Sequence, residues 1–133
     1  MQLSRTSDGL AAVVIATPAL VGVALWPALP AEMAIHWSGG SADSVVRKPV
    51  AVLGIPAFGL ATVVATRLLP DSLTNTPGGE DVTVLLVGVV FAAAETLILL
   101  RNLGFAVNVW LIVGPVVALV LLVALADRFV QFI

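Results

Sequence analysis

The sequence predicts an all-α, polytopic integral membrane protein, with four transmembrane helices in an antiparallel bundle. Three observations point there. Of the 133 residues, 60% are hydrophobic and only 11% are charged, whereas a soluble domain carries about 45–50% apolar and about 25% charged residues. The mean hydropathy is +1.14. Four apolar stretches each reach the roughly 20 residues that a helix rising ~1.5 Å per residue needs to cross a ~30 Å hydrocarbon core.

The first span is expected over Gly9–Leu29. It follows Arg5 and ends in small residues near Ala28 and Ala31, as a signal peptide would. Its apolar run exceeds the usual stretch of about 7–15 residues, which predicts retention as a span. The second span, Pro49–Leu69, begins on a proline suited to a first helical turn. The third, Val82–Leu100, follows a Thr76–Asp81 connector whose Pro-Gly-Gly and acids suit a turn into a helix N-terminus. The fourth, Phe105–Ala126, is joined to the third by a short turn at Asn102–Gly104, which predicts an antiparallel helix pair. Pro18, Pro56 and Pro115 fall inside three of these spans, where neighbouring helices can satisfy the freed carbonyls. The chain reads as one membrane domain over residues 1–133.

Charge excludes several function classes. Six Lys plus Arg stand against eight Asp plus Glu, for a formal charge of −2. No basic block is present to neutralise phosphates, so nucleic acid is not an expected partner. Cysteine is absent, which removes disulfides, thiolate nucleophiles and Cys-based metal sites. No Gly-x-Ser-x-Gly elbow, HExxH pair or phosphate-cradling loop occurs, and the sequence predicts neither an enzyme nor a cofactor. Lys and Arg divide evenly between the two sides of a four-span topology: Arg5, Arg67 and Arg128 against Arg47, Lys48 and Arg101. Charge alone therefore leaves the orientation open.

Helices in lipid associate through close backbone approach and polar contacts. Ala57, Ala61 and Ala65, with Thr62 and Thr66 beside them, form a small-residue stripe on the second span. Gly88 and Ala92 on the third lead toward Glu95 and Thr96. Glu95 is the one charge inside a span, about 20 Å beyond Val82. An ionised carboxylate at the bilayer centre costs roughly 2.5–3.5 kcal/mol, so Glu95 is expected to face the bundle. The short turn is expected to bring Asn108 within about one helical turn of it, with Thr17 and Thr62 as further partners. Two readings stand: a proton or ligand site, or a polar clasp between helices.

The first loop, residues 30–48, is the longest polar segment and holds the only histidine. Trp37 suits a headgroup layer. Ser38–Ser41 suit a flexible turn, and Asp43 suits a cap on a following helical turn. Glu32 and His36, four apart, are expected on one helical face, with Asp43 near them. One histidine with two carboxylates is a thin ligand set, so no metal is predicted. A proton-sensitive His36 paired with Glu32 or Asp43 is one reading, and an interfacial cap that hydrogen-bonds backbone is the other.

Residues Leu29, Pro30, His36, Trp37, Gly39 or Gly40, Asp43, Lys48 and Pro56 fall in the order of a known signature. The segment resembles a family of uncharacterised bacterial and archaeal membrane domains, found also at the N-terminus of SdpI-type toxin-immunity proteins. It departs at Ala34, where the family usually has proline. The resemblance covers about the first 70 residues. It implies a multi-pass cell-membrane protein with both termini cytoplasmic, acting as a binding or protective module through a loop that holds His36, Trp37, Asp43 and Lys48, beside which the residues' own spacing places Glu32. A small transporter, with Glu95 and the kinked helices lining a path, is the alternative, as is an accessory subunit of a membrane complex. Expected partners are the lipid bilayer and a second copy or another membrane protein.

Overall fold

The computed structural model describes residues 2–68 and 79–133. Helix α1 spans Gln2–Ala24 and is followed by a 3-10 turn at Trp26–Ala28. Strands β1 (Glu32–Ser38) and β2 (Ser41–Arg47) come next. A π-helical turn, Val50–Gly54, leads into α2 (Ile55–Leu68). Helices α3 (Gly79–Asn102) and α4 (Val109–Phe132) complete the chain. Four helical stretches are long and apolar enough to cross a membrane: Thr6–Ala24, Val50–Leu68, Asp81–Asn102 and Val109–Val130.

The all-α expectation is corrected by the antiparallel pair β1–β2, which occupies the first loop. The loop begins earlier than expected, because α1 ends at Ala24 and Pro27 lies within the 3-10 turn. The π-helical turn sits directly before Pro56. In a regular α-helix that ring would clash with the carbonyl of Val52, and widening the turn relieves the conflict. Residues 76–78 of the expected connector lie outside the described residues, and Gly79–Asp81 already belong to α3. The fourth helix starts at Val109 rather than Phe105, since Phe105–Asn108 are extended.

Helices α1, α2 and α3 form the packed bundle, and α4 joins it by packing on α3. Close approach is set by glycines. A Cβ placed on Gly88 would sit 3.2 Å from the Ala11 backbone, and one on Gly59 would sit 2.8 Å from the Phe91 ring. The expected alanine stripe is therefore not the packing face of α2. Ala57, Ala61 and Ala65 are exposed, while Pro56, Gly59, Val63 and Thr66 are buried. The rotation of α2 follows from Gly59 admitting Phe91, whose ring also meets Phe58 at a centroid distance of 5.8 Å.

Two apolar clusters fill the bundle. One gathers Ala11, Ile15, Val63 and Val84. The other gathers Leu29, Met33, Ala51, Val52, Ile98 and Leu99 where the hairpin meets the helices. Among the described residues α4 adds no fully buried side chain. An apolar groove of about 370 Å³, lined by Val90, Ala94, Leu97, Ile112, Val116 and Val120, separates it from α3.

Candidate functional site

The hairpin turns on Gly39 and Gly40, whose φ angles of 57° and 88° are the positive values that a two-residue type I′ turn requires. Its ladder pairs Glu32 with Arg47, Ala34 with Val45, His36 with Ser44 and Trp37 with Ala42. The register shifts twice, so Ile35 on β1 and Asp43 on β2 are each left without a partner opposite. Such bulges re-aim side chains. Alternation along β1 directs Met33, Ile35 and Trp37 toward the bundle, and Glu32, His36 and Ser38 away from it.

At the bulge the Asp43 carboxylate takes two hydrogen bonds. Ser38 Oγ donates to Oδ2 at 2.5 Å, and His36 Nδ1 lies 2.5 Å from Oδ1. The Ser38 hydrogen bond, and then that from His36, hold the Asp43 carboxyl below its ordinary value of 3.8. An ionised carboxylate only accepts, so Nδ1 carries the hydrogen and a neutral His36 presents the lone pair of Nε2 outward. The imidazole is two-thirds exposed. The arrangement offers a ligand an oriented acceptor beside a carboxylate and a hydroxyl. Because Ser38 bonds Asp43 rather than His36, it is not arranged as an activated nucleophile.

Rigid anchors hold this surface. Asn102, the last residue of α3, accepts from the Ala34 N–H at 2.9 Å and donates to the Ala34 carbonyl at 2.8 Å. The Arg101 guanidinium lies 5.0 Å from the centre of the Trp37 ring. Lys48 Nζ donates to the Trp26 carbonyl at 2.9 Å and lies 5.3 Å from that ring's centre. Met33 is fully buried beneath the sheet.

The structure thus unites His36 with Asp43, as expected, and separates Glu32 from them. Glu32 lies opposite Arg47 at the base of the hairpin and has no side-chain hydrogen bond or ion pair among the described residues. The expected helical face shared by Glu32 and His36 is a strand face, and Asp43 caps no helix. Trp37 and Lys48 are anchors of the hairpin rather than free loop residues.

Glu95 faces the bundle as expected, at 1% exposure, but among the described residues neither of its carboxyl oxygens has a hydrogen-bond partner. Asn108 does not reach it. That residue is the exposed N-cap of α4 and accepts from the Trp110 N–H at 3.1 Å. Thr17 and Thr62 donate to the carbonyls of Val13 and Phe58 within their own helices. The sequence reading also missed Arg67, which donates to Asp8 at 2.8 Å and to Asp81 at 2.6 Å. Nothing local in the sequence links those three charges, which α1, α2 and α3 bring together.

These elements coincide with a family match. Residues 13–60 match the model of a domain of unknown function, DUF1648. The matched segment runs from the middle of α1 through the hairpin into α2. No curated protein and no solved structure matches the chain.

Proposed function

We propose that the chain is a multi-pass membrane protein that recognises a membrane-active peptide through its hairpin, as a protective or signalling module. The observation that carries this reading is the exposed His36–Asp43–Ser38 group on a hairpin pinned to α3 by Asn102. Fixing the site in advance lowers the ordering cost of binding. The extent of the matched domain supports it, because residues 13–60 contain the whole hairpin. The signature's likeness to SdpI-type immunity proteins supports it as well. In this reading the hairpin faces outward and both termini lie in the cytoplasm.

The test has two parts. The chain is free of cysteine, so single cysteines at Ser41 and Ser72 report sidedness to an impermeant maleimide. Labelling at Ser41 and not at Ser72 is expected. Cells producing the protein are then challenged with a panel of membrane-active peptides, beside His36→Ala and Asp43→Asn variants at matched membrane levels. Protection that both substitutions abolish supports the reading. An inward-facing Ser41, or equal survival of the variants, overturns it.

The unpartnered Glu95 carboxyl favours a second reading, a small transporter or accessory subunit. Loss of proton-coupled flux in Glu95→Gln, with the hairpin variants unaffected, would select it.

A further inference from the structure

Helices α1 and α3 run parallel, and two contacts fix their register. Gly88 meets Ala11, and Gly22 meets Leu99. Both contacts join residues the same number of positions apart along the sequence, which sets Glu95 level with Pro18. Pro18 lies inside α1 and is buried. Having no N–H, it leaves the Val14 carbonyl without its helical donor.

Side chains of a helix lean toward its N-terminus, whereas its carbonyls point toward the C-terminus. The Glu95 carboxyl therefore reaches back along α3 toward the level at which the Val14 carbonyl points forward along α1. An ionised carboxylate offers only acceptors here, and a carbonyl cannot answer them. A protonated carboxyl brings the donor that both groups lack.

Among the described residues no charged group stands near enough to change that. The buried faces of α1 (Ala11, Ile15, Pro18) and α2 (Pro56, Val63, Thr66) carry nothing that titrates. Asp81, with Arg67 and Asp8, lies fourteen residues before Glu95 on α3, about 21 Å along the helix. Arg101 lies six residues beyond and rests on Trp37, and Lys48 is held at Trp26. His36, Asp43 and Glu32 are on the outward face of the hairpin, and the α4 residues lining the groove against α3 are all apolar.

We propose that Glu95 is a proton-binding site, and that the bound proton gives its otherwise unpartnered carboxyl a donor for the Val14 carbonyl that Pro18 leaves free. The ligand is the proton itself, since at 1% exposure the carboxyl admits no hydrated cation. Glu95 also lies two helical turns before Asn102 on α3, so the proton sits beneath the residue that pins the hairpin. The inference stands apart from the peptide-recognition reading and holds whether or not that reading survives.

Infrared spectroscopy of the full chain in lipid vesicles tests it. At neutral pH a carbonyl stretch of a protonated carboxylic acid is expected, shifted by isotopic labelling of glutamate and absent in Glu95→Gln. Pro18→Ala, which returns a donor to Val14, is expected to move the band to the frequency of an unbonded acid. If Glu95→Gln does not fold, Glu32→Gln and Glu80→Gln serve instead, and the band must persist in both. Absence of the band at neutral pH, or a band that Pro18→Ala leaves in place, overturns the proposal.

Discussion

Asn102 pairs with both the N–H and the carbonyl of Ala34, so a helix-terminal side chain hydrogen-bonds β1 as a neighbouring strand would. The same amide donates to the Ile98 carbonyl at 2.7 Å, which fixes its orientation on α3. Asn102→Leu deletes all three bonds at a half-buried site. With each contributing about 0.5–1.5 kcal/mol, a loss of roughly 1.5–4.5 kcal/mol is expected. Hydrogen exchange at the Ala34 amide reads this locally: protection should collapse there while the amides of α2 stay protected. Unchanged protection at Ala34 would show that apolar contacts alone hold the hairpin.

The Asp43 carboxyl is held below 3.8 first by the Ser38 hydroxyl and then by His36. A folded value below the unfolded one stabilises the hairpin at every pH above 3.8, and the contribution is lost as pH falls through the folded value. Carbon-detected NMR of the side-chain carboxyl should therefore place the Asp43 titration below 3.8. Ser38→Ala and His36→Ala should each move it upward. A titration at or above 3.8 in the unsubstituted protein contradicts the hydrogen-bonded geometry.

The four apolar helices were legible because length and hydropathy decide them in lipid with little help from tertiary contacts. The hairpin was not, although Gly39–Gly40 between two seven-residue runs is a type I′ signal. Its mixed composition and the spacing of Glu32 and His36 also fit a helical turn, and only docking on Met33 selects the strand. The union of His36 and Asp43 was legible as proximity in sequence. Its geometry was not, because the two bulges that aim Asp43 leave no mark in composition. Asn102 looked like a turn residue, since nothing local shows that its amide meets Ala34, far away in the chain. The alanine stripe misled for a physical reason: small residues permit close approach on any face, and here bulky Phe91 chose Gly59.

Arg67 ties three helices by donating to Asp8 on α1 and Asp81 on α3. Removing it in Arg67→Leu leaves two carboxylates facing one another without a cation. Hydrogen bonds to charged groups contribute about 1.5–3 kcal/mol each, and partial exposure of Asp8 reduces its share, so a total loss of roughly 2–4 kcal/mol is expected. Asp8→Asn should cost less, since Asp81 keeps its partner. Thermal unfolding in detergent ranks the two. An Arg67→Leu shift no larger than that of Asp8→Asn would mean that the triad adds nothing beyond a surface ion pair.

Glycines separate the packed bundle from the loosely attached fourth helix. At Gly88 a Cβ would press on the Ala11 backbone at 3.2 Å, and backbone yields less readily than the end of a flexible side chain. At Gly114 on α4 nothing lies within 4 Å. Gly88→Ala should push α1 from α3 and cost about 1–3 kcal/mol, the range for overpacking a filled interior. Gly114→Ala should be neutral, or stabilise by up to about 1 kcal/mol through helix propensity. Opposite signs in the same denaturation assay are expected, because α1 and α3 share an interface with no slack whereas α4 meets α3 across an open groove. If Gly114→Ala instead destabilises as much as Gly88→Ala, α4 packs against a surface that the chain alone does not supply.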